Sequence, residues 1–192
     1  MQPLIVRARV RTHLELKQAR DLLESLASLD GLTGIANRRR FDSWLEREWQ
    51  RCARGGLPFS LAIADVDHFK TYNDRFGHAR GDECLRKVAH TLAGVARRPA
   101  DLAARYGGEE FGLLFPETDT ASMHLLLRAA LAEIRKNDIT VSIGAVTIIA
   151  SNGIDAGAAL QTADELLYTA KEEGRDQARH LDAASNTRER LS

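Results

Sequence analysis

Two adjacent carboxylates, Glu109 and Glu110, follow two glycines in the stretch Arg105-Tyr106-Gly107-Gly108-Glu109-Glu110-Phe111. Residues 102–106 and 111–115 have strand character, so the Gly-Gly between them predicts a β-hairpin whose turn needs φ > 0 and carries both acids. Paired Glu side chains at a tip repel each other unless something positive lies between them. A divalent cation would serve, and solvated surface acids are the competing reading. A third acid, Asp65, follows the apolar run from Phe59 to Ala64, which predicts a central strand. A carboxylate at that place can hold a metal or cap the next helix. Beyond it, the turn from Asp67 to Lys70 opens a short helix whose free N–H groups could cradle phosphate. No G-x-x-x-x-G-K-[ST] string occurs, which argues against a P-loop. Asn73 and Asp82 are residue types that cap helices. Arg98 and Asp101 read as a loop ion pair, and Lys171 and Arg175 lie near a helix C-terminus, where basic groups offset the dipole.

The elements that must position these groups follow from periodicity. Apolar residues step by three and four in residues 3–29 (Ala19, Leu22, Leu26, Leu29), a helical stalk whose short a/d seam either joins a coiled coil or packs on the chain's own domain. Two glycines in Asp30-Gly31-Leu32-Thr33-Gly34 break it, and a helix to about Arg54 follows with Phe41, Trp44, Leu45 and Trp49 as its buried stripe. A short helix ends at Gly77, and the next opens at Gly81 and runs through Val88, Leu92 and Val95 until Pro99 stops the chain from continuing it. Residues 117–136 predict a helix, 139–149 a β-branched strand and 156–173 the final helix. Past Asp176 the sequence is polar and reads as a frayed tail. This order gives an α/β fold of α+β, palm-like type: a central mixed sheet of about five strands with helices on both faces, plus the N-terminal stalk.

The chain has 192 residues, 44% of them hydrophobic, enough for one domain and an appendage. Lys+Arg and Asp+Glu balance at 27 each, so no overall field recruits nucleic acid or an anionic membrane. No apolar run approaches the ~20 residues that span a bilayer. Cys52 and Cys84 lack metal-type spacing and read as buried free thiols in a reducing cytoplasm. None of the six histidines shows ligand spacing.

The string Gly107-Gly108-Glu109-Glu110-Phe111 resembles the signature of GGDEF-domain diguanylate cyclases, with Glu in place of Asp. The resemblance runs from about Leu29 to Asp176 and includes Asp30-Gly31-Leu32-Thr33-Gly34-Ile35-Ala36-Asn37-Arg38, similar to the family's opening D-x-L-T-G-x-x-N-R. It implies domains at 1–29 (stalk), 30–176 (cyclase) and 177–192 (polar tail). The words Val6-Arg7-Ala8-Arg9-Val10-Arg11 through Lys17 also look like the last helix and linker of a response-regulator receiver. The chain is then expected to be a truncated output module whose missing receiver supplied regulation by phosphorylation and dimerisation.

The resemblance also implies a chemistry. The hairpin would pair beside the strand ending at Asp65, bringing three carboxylates together. Asp65, the Val66 carbonyl, Glu109 and Glu110 would hold two Mg²⁺ (or Mn²⁺) ions, with Glu109 and Asp65 as the catalytic acids. Asn73 and Asp82 would bind the guanine of GTP beside Leu85. His68, Phe69, Lys70, Lys171 and Arg175 would hold its phosphates. Arg98 and Asp101, with five residues between them and Gly107, match the site where cyclic di-GMP inhibits its own synthesis. Two chains must then face each other as a homodimer in the cytoplasm, with no nucleic acid or membrane as partner. Two departures stand out: Ala129 occupies a position where some relatives carry an arginine that completes inhibition, and Asn137-Asp138 is a short link where relatives carry a longer insert. Arg105 can brace the signature turn or face phosphate.

Overall fold

The run Pro58–Val66, apolar except at Ser60 and Asp65, forms the strand on which the remaining elements are hung. The computed structural model of this chain describes residues 28–150 and 155–192. In order the elements are β1 (Ala36–Asn37), α1 (Arg38–Gly55), β2 (Pro58–Val66), α2 (Phe69–Phe76), α3 (His78–Val95), β3 (Leu102–Gly107), β4 (Glu110–Pro116), α4 (Thr120–Arg135), β5 (Val141–Ile149), α5 (Ala156–Glu172), β6 (Gln177–Asp182) and β7 (Thr187–Leu191). They build one mixed sheet in the order β1-β3-β4-β2-β5-β6-β7. β2 runs antiparallel to both β4 and β5, while β1–β3 and β5–β6 are the parallel pairs.

Side chains alternate across β2 and split the core in two. Phe59, Leu61 and Ile63 pack with Phe41, Leu45 and Trp49 of α1 and Ala163 and Leu167 of α5. Ala62, Ala64 and Val66 face the other way, against Leu85, Val88 and Leu92 of α3 and Leu127 and Leu131 of α4. By the same alternation Asp65 belongs to the α1/α5 face. Asn37, Asp119 and Asp155 cap α1, α4 and α5 by accepting from the N–H three residues on, each cap contributing about 1 kcal/mol.

The mixed sheet with helices on both faces is as expected, but it has seven strands rather than about five. β1 is two residues long, too short to leave a periodic pattern. Nor is the segment after Asp176 a frayed tail. β6 pairs with β5, β7 pairs with β6, and Leu191 is buried in the core. The segment is polar because β7 is an exposed edge strand and because the inward residues include Gln177, whose amide nitrogen donates to the Ala170 carbonyl, and His180, which bonds to Thr147. The hairpin turn is also tighter than expected. β3 continues through Gly107 with a register shift after Arg105, β4 starts at Glu110, and Gly108-Glu109 makes the turn with φ 41° at Gly108. α3 begins at His78, so Gly81 and Asp82 lie inside its first turns. The seam of the stalk, Ala19 to Leu26, and the receiver-like words lie outside the described residues.

Candidate active site

Asp65 and Glu110 are direct partners in the β2–β4 ladder. Glu109, on the turn, accepts a hydrogen bond at its carbonyl from the Val66 N–H at 3.3 Å. Register therefore brings Glu110 and the backbone of Glu109 beside the end of β2: ending β3 at Gly107 puts the first residue of β4 opposite Asp65. Lys171 reaches over from α5, with Nζ 2.8 Å from Asp65 Oδ2. Its reach depends on Gly144 of β5. A Cβ there would lie 1.9 Å from the Ala163 carbonyl oxygen, so the absent side chain lets α5 lie directly on the sheet.

Negative charge is crowded at this point. Burial pushes the Asp65 carboxyl above the ordinary carboxylate range; Lys171 pulls against the rise, and the charges of Glu109 and Asp67 add to it. Burial likewise raises Glu110, reinforced by Asp65, Asp164 and Glu109 and opposed by Lys171. Among the described residues no three His, Cys, Asp or Glu side chains converge to hold a metal ion, and Asp65 is turned onto Lys171. The donors nevertheless suit a hard divalent cation. They are all oxygen, and the carboxyls of Asp65 and Glu110, raised first by burial and then by neighbouring acids, are groups whose charged form a cation would stabilise. Asp164 was not singled out by the sequence reading. Its spacing of seven from Lys171 puts the two on one face of α5, which was the available signal.

Of the base-binding candidates, Asn73 lies on α2 and Asp82 and Leu85 on α3. Asn73 Oδ1 is buried and has no hydrogen-bond partner, and it lies where a Cβ on Gly81 would be, 1.8 Å away. An unpaired buried acceptor costs roughly 1–3 kcal/mol, so it marks a place for a donor. Asp82 is half-buried one residue further on, while Leu85 is 2% exposed and belongs to the core under α3. His68 precedes α2 with φ 56°, His68 and Lys70 are exposed, and Phe69 packs on the core. Arg175 is exposed, in the turn after α5, with φ 62°.

Arg98 and Asp101 form one unit. The Arg98 guanidinium donates to Asp101 at 2.8–3.2 Å, and its backbone N–H donates to the same carboxylate at 3.0 Å. The guanidinium also donates to the Pro116 carbonyl and the Thr118 hydroxyl. This pair is not part of the carboxylate cluster: it lies at the other end of β3, about 20 Å from the turn by strand length. Ala129 lines a separate cleft of about 510 Å³ between α3 and α4. Arg105 braces the turn, donating from Nε to the Gly108 carbonyl at 2.9 Å and pairing with Asp30 at 3.2 Å. Cys52 and Cys84 are free and buried. Among the described residues no helix is long and apolar enough to cross a membrane.

Comparison with known proteins gives the same outline. The response regulator PleD of Caulobacter vibrioides is 36% identical over 194 residues, covering 92% of this chain and 42% of PleD. The diguanylate cyclase DgcP of Pseudomonas aeruginosa is 44% identical over 160 residues, covering 78% of this chain and 23% of DgcP. This chain thus spans less than half the length of either relative. The crystal structure of the coiled coil and GGDEF domain of DgcB from Caulobacter crescentus, in complex with c-di-GMP, superposes with a TM-score of 0.76 at 34% identity, covering 93% of this chain and all of that one. Residues 27–177 match the family described as diguanylate cyclase, GGDEF domain. On that match, and on the carboxylates that its signature turn sets beside β2, the chain belongs to the GGDEF family.

Proposed function

We propose that this chain is a diguanylate cyclase domain that condenses two GTP into cyclic di-GMP with release of two pyrophosphates. The observation that carries the reading is the pairing of Asp65 with Glu110 beside the Glu109 turn, with Lys171 drawn onto Asp65. A requirement for a divalent metal goes with the family. Asp65, the Val66 carbonyl, Glu109 and Glu110 would hold two Mg²⁺ or Mn²⁺ ions. Bound there, the ions would neutralise the triphosphate and favour ionisation of the attacking hydroxyl.

The chain's own residues do the rest. Asn73 Oδ1 and the Asp82 carboxylate accept from guanine N1–H and its exocyclic amine, a donor pair that adenine lacks on that edge. Leu85 backs the base. The backbone at His68, Phe69 and Lys70 and the side chains of Lys171 and Arg175 hold the β- and γ-phosphates. Glu109 accepts the proton of the 3′-hydroxyl as that oxygen bonds to the α-phosphorus of the facing GTP and the bond to pyrophosphate breaks. Repeated in the other direction, this closes the ring. Each domain supplies one GTP, so two chains face each other as a homodimer in the cytoplasm. The cyclase domain is assigned to residues 30–176, extended by the β6–β7 hairpin.

A second reading draws on the preformed Arg98–Asp101 pair. A guanidinium fork beside a buried carboxylate suits phosphate and a guanine edge, so cyclic di-GMP binds there as an inhibitor. The test is incubation with GTP and Mg²⁺ across protein concentration, following pyrophosphate and cyclic di-GMP together. A specific rate that rises with concentration supports synthesis by a dimer. Absence of product from demonstrably dimeric protein that still binds cyclic di-GMP would replace the cyclase with a domain that binds this dinucleotide without making it.

A further inference from the structure

The turn after α5 is strained and clamped. Gly174, Arg175 and Asp176 have φ of 113°, 62° and 48° in succession, and a non-glycine residue in the left-handed region costs about 1 kcal/mol or more. Two of the three are non-glycine, so the surroundings must hold them there. The Arg175 N–H closes back onto the Ala170 carbonyl at 3.0 Å. The Asp176 N–H donates to Asp67 Oδ2 at 3.0 Å. Arg135, the last residue of α4, donates from Nε to Asp176 Oδ1 and from its terminal nitrogen to the Asp176 carbonyl, both at 2.8 Å.

Asp67 is built for this contact. It is 9% exposed, and its other oxygen accepts from the Ser142 hydroxyl at 2.7 Å. Its N–H donates to the Thr140 carbonyl at 3.0 Å. One side chain thus ties the end of β2 to β5 and to the turn. Arg135 is brought into range by the short link to β5, where the Asp138 N–H bonds back to the Arg135 carbonyl at 3.0 Å. The residue gripped from both sides is the one directly after Arg175.

We infer that Arg135 and Asp67 are positioning residues that hold the 174–176 turn in its left-handed form and so aim Arg175 at the terminal phosphates of the substrate. This rests on the proposed phosphate role of Arg175. Neither positioning residue touches the nucleotide; both act through the backbone of Asp176. Without the clamp the turn relaxes toward ordinary φ, and the Arg175 guanidinium must be reordered at each binding event.

The test compares binding of α,β-methylene GTP, which cannot turn over, with binding of GMP, which lacks the β- and γ-phosphates. Arg175→Ala should weaken the triphosphate analogue and leave GMP unchanged. Arg135→Ala should weaken the analogue about tenfold, as expected for loss of one charge-assisted contact, again leaving GMP unchanged. The double variant should be no weaker than Arg175→Ala alone. Asp67→Ala, which removes the acceptors of both the Asp176 N–H and the Ser142 hydroxyl, should behave like Arg135→Ala. If Arg175→Ala binds the analogue normally, the phosphate role of Arg175 fails and the inference fails with it. If Arg175→Ala is impaired but Arg135→Ala and Asp67→Ala are not, or if the Arg135 and Arg175 losses multiply, or if GMP weakens equally, the positioning role is overturned while the phosphate role stands.

Discussion

Asp65 and Glu110 stand directly opposite each other across the β2–β4 ladder, both with carboxyls raised by burial and by neighbouring acids. A raised folded-state pKa has a definite sign. The protonated acid is favoured by folding, so ionisation costs stability that is retained below the unfolded carboxylate pKa and lost as pH rises through the folded value. At neutral pH the wild type carries that cost. Glu110→Gln removes the charge and should raise Tm by about 2 °C at pH 7, with the gain vanishing toward pH 4. Turnover of GTP should fall at least about 100-fold. Melting curves at the two pH values, beside a pyrophosphate assay, check both halves. A variant that is less stable at pH 7 would show that Glu110 is structural.

Arg105 joins the signature turn to the loop that opens the domain. Asp30 is held below the ordinary carboxylate range, burial notwithstanding, by hydrogen bonds from Thr33 and Arg105 and by the Arg105 charge. Arg105→Ala should cost roughly 1–2 kcal/mol, the scale of a charge-assisted bond to a half-buried carboxylate, and slow turnover about tenfold by freeing the Gly108 carbonyl. A double-mutant cycle with Asp30→Ala should give a coupling of about 1 kcal/mol in urea unfolding. Additive losses would separate the two residues.

Part of this architecture is readable from residue patterns and part is not. β2, α1 and α5 are legible because their apolar periodicity follows from being buried on a known number of faces. The approach of Glu110 to Asp65 is legible through the family resemblance, which sets the signature hairpin beside the strand that ends there. The β6–β7 hairpin is not, because two of its four buried positions are Gln177 and His180, whose burial depends on partners in other elements, Ala170 and Thr147. The clamp on Asp176 is hidden for the same reason, since Arg135 and Asp67 meet it across 41 and 109 residues.

Arg98 has an inward and an outward duty. Its guanidinium is bonded to Asp101, whose side chain is 3% exposed, yet about half of the Arg98 side chain faces solvent. Arg98→Ala should raise the cyclic di-GMP concentration that halves the rate by at least about tenfold, while synthesis from GTP persists because β3 separates the two places. Progress curves with added product measure this. Undiminished inhibition in the variant would move the inhibitory site elsewhere.

Gly144 sets the distance between α5 and the sheet. A methyl group there would meet three backbone atoms, the Ala163 oxygen at 1.9 Å, the Leu167 nitrogen at 2.2 Å and the Leu166 carbonyl carbon at 2.9 Å, none of which can rotate away. Gly144→Ala should therefore destabilise by about 3 kcal/mol and lower Tm by about 10 °C. Gly94, where a Cβ would meet nothing within 4 Å, is the control: alanine there should be neutral or stabilising, as expected inside α3. Equal melting of the two variants would contradict the close approach of α5.

His180 should make the fold acid-sensitive. It is 1% exposed on β6, with Nε2 2.8 Å from the Thr147 hydroxyl and Nδ1 2.9 Å from His124 Nε2. Thr147 continues the chain to Ser60, and His124 faces Glu189 of β7 at 3.6 Å. Burial, with the neighbouring His124 adding and Asp182 opposing, pushes the imidazole down from 6.5 to about 4. A histidine lowered by folding binds its proton more readily in the unfolded chain, so stability is complete above the unfolded pKa and is lost as pH falls from about 6.5 toward 4. Between pH 7 and pH 5 the loss from this one group is about 2 kcal/mol. Urea unfolding at the two pH values should show it in the wild type, and His180→Gln, which keeps hydrogen-bonding atoms but does not titrate, should flatten that part of the profile. An unchanged slope in His180→Gln would assign the acid sensitivity to other groups.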